Sequence, residues 1–547
     1  MFSRRWLLKS GVLSGLGIAA VPVLESAPQI SAGAGNVSVR PANQPSWASG
    51  PENQRRPDLG NGTYLNPIIP GAAPDPDVVK DGDDYYMTFS SFQEYPGLPL
   101  YHSKDLVNWV RIGSAVNKPI GSIIAPSFKK HNGKFFIYFP AGLPAPQGEG
   151  RGTYVVYADD PRGPWSDPVQ VQAGGGIDPG HVVGEDGKRY LFLSGGTRVR
   201  LTDDGLKADG PIEKVYSGWQ YPDDWYDEGF SLESPKVFRR GDYFYLVSAE
   251  GGTYGPPTSH MVVVARSKSI NGPWENDPQN PVIHTRNAAE PWWSRGHGAV
   301  VEGPGGDWWI IYHAVENGYR TLGRQAILEP LEWTSDGWFR ATTKDLSVPL
   351  RKPRGGSNIG SGQLLSDDFS SNRLGTVWRF NQTGPDDAAR VRFGDHFVQL
   401  QGKGDSFSNC SPLTCIPVDR AYQATVDVEL VDQVEAGIML FVGSFLYAGI
   451  GHDGTRIKMY AKGAPPRNQG QSGALTKISL RVINDNHVMS LFTSPDGQTW
   501  MRYPLRLDVS GYHQNVTRDG GESLRIGLYA IGSGSARFRN FTYKALI

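Results

Sequence analysis

Asp75, Asp178 and Glu233 are the residues best suited to chemistry, because each opens one copy of a repeated frame: PDPDVVKDGDDYYMTF, IDPGHVVGEDGKRYLFL and LESPKVFRRGDYFYLV. Carboxyls gathered in one site can divide acid and base work, since a neighbouring negative charge keeps one protonated while another stays ionised. An Asp ahead of a Pro is, taken singly, ordinarily a turn residue satisfied by local N–H groups. Three that converge repel one another and need a function or a cation to hold them together.

The elements that would bring them together are legible in the same frame. Two further copies lack the carboxylate but keep the pattern, APSFKKHNGKFFIYF from Ala125 and GHGAVVEGPGGDWWIIYH from Gly296. A repeat recurring every roughly 50 to 65 residues has the period of a propeller blade rather than a helical solenoid. Within each copy a β-branched strand, a DG, NG or GG turn and an aromatic strand read as a hairpin. Strand-like pieces downstream, such as Leu98 to His102, Thr153 to Ala158 and Met261 to Ala265, complete a four-stranded unit. We expect a five-bladed β-propeller, whose first strands line the axis and point equivalent positions into one cavity.

Glycoside hydrolysis suits such a cavity. One carboxyl protonates the leaving oxygen, another activates water or attacks carbon, and a third holds up the pKa of the donor. Calcium binding is the competing chemistry, but these segments lack the dense alternating Asp and Asn of a calcium loop.

The 547 residues carry a formal net charge of −1, too many for one ordinary core and too balanced for a polyanion binder. No basic stripe points to nucleic acid. Ser3-Arg4-Arg5-Trp6-Leu7-Leu8-Lys9 ahead of the apolar run from Gly11 to Leu24 reads as a twin-arginine export signal over residues 1–32. That run is too short and Gly-rich to stay in a bilayer, so we expect a periplasmic or extracellular protein. Residues 33–60 read as a disordered lead-in, 61–350 as the propeller, 351–362 (RKPRGGSNIGSG) as a linker, and 363–547 as a second domain. Strand-like segments at Ala421 to Val431, Ala436 to Val442, Arg456 to Tyr460, His487 to Ser494 and Ser523 to Ile531 make that domain an antiparallel β-sandwich. Cys410 and Cys415, separated by the four residues SPLT in an exported chain, are expected to form a local disulfide, with a free pair as the alternative.

NPIIPGAAPDPDVVKDGDDYYMTFSSF followed by LPLYHSKDLVNW resembles the start of the catalytic domain of glycoside hydrolase family 43. The IDP segment at Asp178, LESPKVF at Glu233, GHGAVV around His297 and LGRQAILEPLEW around Arg324 extend the resemblance from Asn66 to about Trp338. The entry LLSDDFSSNRLGTVW resembles that of the concanavalin-like sandwich following the propeller in many β-xylosidases of the family.

The resemblance implies an inverting glycosidase that removes xylosyl or arabinofuranosyl units from plant polysaccharide or its oligosaccharides, exo-acting because the sandwich reaches over the propeller mouth. It implies Asp75 as general base, Glu233 as general acid and Asp178 as the residue that tunes Glu233. Arg324 matches a sugar-contacting arginine and Phe92 an aromatic near the pocket. His297 matches a histidine that in some members lies close to a bound cation. No cofactor is required on this reading, though a structural calcium near the axis is compatible with it. The alternatives are a non-catalytic carbohydrate-binding propeller and an exo-galactosidase or endo-arabinanase of the same fold.

Overall fold

The computed structural model describes residues 46–142, 152–174, 176–381, 384, 386–464, 467–470, 475–516 and 523–546. The expected export signal and the lead-in up to residue 45 lie outside them.

Five antiparallel sheets follow one another in sequence, each ordered so that consecutive strands are neighbours. The first consists of Asp77–Asp81, Asp84–Thr88, Gly97–Ser103 and Val110–Val116. The later sheets begin at Ser127–His131, Gly180–Val183, Glu233–Arg240 and Trp292–Glu302, and the fourth takes an extra short strand, Ile283–His284, against Met261–Ser267. These first strands touch one another in turn, and the fifth returns to the first, closing a five-bladed ring. The strands are dominated by β-branched and aromatic residues. Neighbouring blades bury them in shared clusters such as Val78, Tyr85 and Met87 with Ala299, Trp309 and Ile311.

The ring is sealed where its ends meet. Asn66 makes a reciprocal pair with Leu328, donating to its carbonyl at 3.0 Å and accepting from its N–H at 2.9 Å. The Ala73 N–H donates to Arg324 O at 2.8 Å, which places Arg324 beside the segment that carries Asp75.

The C-terminal half forms two further sheets around one core that includes Trp378, Val426, Ile438, Leu480 and Phe538. The eight-stranded sheet does not stop at the domain edge, because its last strand is Glu94–Tyr95 from the first blade, paired with Arg379–Asn381. Glu94 is buried there between Arg379 and Arg525, whose Nε lies 2.5 Å away. Burial alone would raise its pKa, but the two guanidinium groups outweigh it and hold Glu94 below its usual value.

Two expectations are corrected. Residues 46–60 are not all disordered lead-in: Ala48–Ser49 pairs with Arg55–Arg56, and Arg55 is buried with Nη1 2.8 Å from Glu316 and its N–H 2.9 Å from Asp419. Composition missed this because the segment is fixed by ion pairs between propeller and sandwich, not by an apolar run. Cys410 and Cys415 are free thiols. Cys410 packs with Phe407 and Tyr447 while Cys415 enters the main sandwich core, so the extended strand Leu413–Cys415 sends the two into different clusters. Burial pushes both thiols up, Cys410 to about 12.

Candidate active site

Each blade carries a left-handed residue at the matching place of its frame, two residues ahead of the first strand at Asp75 (φ 57°), Ala125 (41°) and Asp178 (55°) and inside it at Ser234 (54°) and His297 (59°). The chain arrives from the outer edge of one blade and must turn sharply to start the next at the axis. A left-handed residue makes that turn at a cost of about 1–3 kcal/mol, strain of the kind that collects at functional sites.

This common conformation revises the repeat register. Ser234, not Glu233, is the fourth-blade equivalent of Asp75 and Asp178. Glu233 stands one residue earlier, paired with Ala249 ahead of a bulge that runs to Lys236. The bulge re-aims the chain, and Glu233 is left half-buried whereas Asp75 and Asp178 are only 5% and 3% exposed. Blades three and four meet closely: a Cβ on Gly180 would lie 1.6 Å from Pro235 O. The Ser234 N–H donates to Asp178 Oδ2 at 3.1 Å.

Asp75 is enclosed by polar side chains. Arg324 Nη1 lies 2.7 Å from Oδ1, and Ser90 donates its hydroxyl to Oδ2. His297 and His313 bring Nδ1 to 3.5 and 3.2 Å from Oδ1. Burial alone would raise the Asp75 pKa, but Arg324, then His297 and His313, outweigh it and hold the carboxyl well below its usual range. The guanidinium is the dependable charge among them. Burial drives His297 well below its ordinary value, and His313 Nδ1 accepts the Asp75 N–H at 3.0 Å and has no proton there to offer the carboxylate.

Asp178 and Glu233 are shifted the other way. Burial first, then repulsion from Asp178 and Asp75, pushes Glu233 up, with Arg324 opposing. Asp178 is raised by burial and by Asp75, against the Ser234 N–H and Lys236. The site thus holds the Asp75 carboxyl down and pushes the Asp178–Glu233 pair up.

Phe92 is buried with its ring centroid 5.9 Å from the Arg324 guanidinium. Sequence reading missed Ser90, His260, His313 and Lys236. Ser90 lies in the quoted TFSSF stretch and His313 ends the quoted fifth repeat, but nothing in either segment says which side chains face the axis. His260 stacks on His313 at 5.2 Å, and a Cβ on Gly296 would meet it at 1.8 Å. Lys236 is buried 3.6 Å from Asp77 and donates to Pro126 O at 2.5 Å, tying blades one, two and four beneath the carboxylates.

Asp75, His297 and His313 present ligand atoms within 4.8 Å of one another. One carboxylate and two ring nitrogens beside a guanidinium do not fit calcium, which takes six to eight oxygens, about 2.3–2.6 Å away.

Sandwich loops brace the segment leading into Arg324. The Leu524 N–H donates to Thr321 O at 2.8 Å, His487 Nε2 lies 2.7 Å from Gly318 O, and the Tyr319 hydroxyl donates to Asn486 at 2.8 Å.

A five-bladed propeller whose axis carries one carboxyl held low and others pushed up has the layout of a glycosidase of the acid–base type. The model of glycosyl hydrolases family 43 matches residues 64–339, and the chain belongs to that family. It is 33% identical over 413 residues to a non-reducing end alpha-L-arabinofuranosidase of Bacteroides ovatus, covering 70% of this chain and 74% of the relative. A xylan 1,3-beta-xylosidase of a Vibrio species is 29% identical over 505 residues, 85% of this chain and 90% of that protein. The crystal structure of the GH43 protein BlXynB of Bacillus licheniformis superposes with a TM-score of 0.79 at 27% identity, over 88% of this chain and all of that one (100%). Among the described residues no helix is long and apolar enough to cross a membrane.

Proposed function

We propose that the enzyme releases single xylosyl or arabinofuranosyl units from the non-reducing ends of plant polysaccharide fragments, with inversion, using Asp75 as base and Glu233 as acid. The observation that carries this reading is the opposite displacement of the two pKa values, downward for Asp75 and upward for Glu233. Near neutral pH that leaves one carboxylate able to accept a proton and one carboxylic acid able to give one.

In the reaction, water attacks the anomeric carbon and passes a proton to Asp75, while Glu233 gives its proton to the departing glycosidic oxygen. Asp75 accepts from Arg324 and Ser90, yet an ionised carboxylate has about four lone-pair sites, so capacity for the water remains. Arg324 and Ser90 position that carboxylate, Asp178 keeps Glu233 protonated, and Phe92 packs beside Arg324 at the sugar's edge. The sugar class follows the relatives, an arabinofuranosidase and a xylosidase. Exo action is supported by the sandwich loops bound to residues 318–321.

A panel of aryl β-xylosides, α-L-arabinofuranosides and β-galactosides tests the reading. Turnover of a pentoside well above that of the galactoside is expected, and turnover of none rejects it. Export by the twin-arginine route, supported by Ser3-Arg4-Arg5-Trp6-Leu7-Leu8-Lys9, is tested by replacing Arg4 and Arg5 with Lys. Retention of the enzyme inside the cell is expected, and undiminished export contradicts the route.

A further inference from the structure

Between the fourth and fifth blades lies a groove of about 1160 Å³ that the acid–base chemistry does not use. Its position relative to Glu233 is fixed by strand register. Glu233 pairs with Ala249, Ala249 with Val262, and Val262 with Ile283, which lines the groove. Three strand spacings of about 4.8 Å separate the two along one row of the blade, a span that a short oligosaccharide covers.

The rim on the Glu233 side is aromatic. Trp225 lies flat over the His284 ring, with centroids 4.6 Å apart and planes 2° from parallel, and Tyr221 stacks on Trp225 in turn. Tyr226 is 79% exposed although its backbone is pinned, its carbonyl accepting from the Thr258 hydroxyl at 2.6 Å. A large ring held out to solvent on an anchored loop does no packing. The same loop carries Glu228, close enough to Glu233 to add to the rise of its pKa. Beyond the rim the lining is planar and polar, including Gln279, Asn280, Arg286 and Glu290. Arg295 in the groove wall is compensated by Glu290 and Glu329, at 3.2 and 3.8 Å. The Asn280 amide is held by both backbone groups of Val264, so the exposed Tyr226 ring for the apolar side of a sugar, the Gln279 amide for its hydroxyls and balanced charge together suit a neutral carbohydrate chain.

We propose that this groove holds the leaving side of the substrate, the run of uncharged sugars that continues from the oxygen Glu233 protonates. The inference rests on Glu233 being the acid, since a proton donor to the leaving oxygen faces the departing chain. It makes the enzyme one that prefers long chains to disaccharides, with the preference located in residues remote from the bond cleaved.

The test is kcat/KM on a disaccharide and a pentasaccharide of whichever pentose the enzyme releases, for the wild type, Tyr226→Ala and Gln279→Ala. The wild type is expected to favour the pentasaccharide. Loss of one stacking contact is expected to lower the pentasaccharide-to-disaccharide ratio about fivefold in Tyr226→Ala, through KM, with a smaller drop in Gln279→Ala. An active wild type whose ratio stays the same in both variants overturns the groove assignment alone. A wild type without turnover of any pentoside overturns the glycosidase reading, and the groove assignment with it.

Discussion

The N–H of Ser234 donates to Asp178 Oδ2 at 3.1 Å, so the residue following the proposed acid of the fourth blade holds the carboxylate of the third. The bond fixes Asp178 where its charge acts on Glu233. Asp178→Asn removes that charge while keeping an acceptor for the Ser234 N–H. Glu233 then loses its proton at lower pH, and the alkaline limb of the kcat/KM profile is expected to move down by about 1 pH unit, read from a profile between pH 4 and 10. An unmoved limb separates Asp178 from the acid.

Replacing Asp75 or Glu233 by Ala should each lower turnover of natural oligosaccharides by about 100- to 10,000-fold. The two should part on an aryl glycoside with a good leaving group, which needs little protonation. Glu233→Ala is then largely rescued and Asp75→Ala is not, as steady-state rates on a leaving-group series would record.

Arg324→Met tests what keeps Asp75 ionised. A carboxyl whose folded pKa is depressed adds stability above its unfolded value of about 3.9, and that contribution fades as pH falls through the folded pKa. Removing the guanidinium raises the folded pKa, so the acid limb of activity is expected to shift to higher pH. Breaking a buried pair costs about 3–5 kcal/mol, which denaturant titration at pH 7 would detect and which should shrink as the pH is lowered.

Much of this was legible in the chain. The frame shared by Asp75, Ala125, Asp178 and the fifth repeat announced the blades, because hairpin turns and aromatic strands are local signals. The register of Glu233 was not legible: LESP looks like a fourth copy of the same position, and only the left-handed backbone of Ser234 shows that the acid stands one residue ahead. His260 and Lys236 were invisible for a related reason. Their roles come from blades meeting at the axis, and each interacts with a blade other than its own. The Glu94 strand likewise could not be read, because two residues in a loop become a sheet edge only when another domain supplies the partner.

That strand makes its own prediction. Glu94→Ala leaves Arg379 and Arg525 buried without their common partner, and a cost of about 3–5 kcal/mol is expected to fall on the junction between first blade and sandwich. Limited proteolysis should then release the C-terminal half faster than from the wild type, and equal rates would show that the pair does not hold the junction.

The central claim is that Asp75 acts as a base toward water and not as a nucleophile toward carbon. Proton NMR of the first sugar released, recorded before mutarotation, tests this most directly. The account predicts an anomeric configuration opposite to that of the substrate, and a first product with retained configuration would make Asp75 a nucleophile and contradict it.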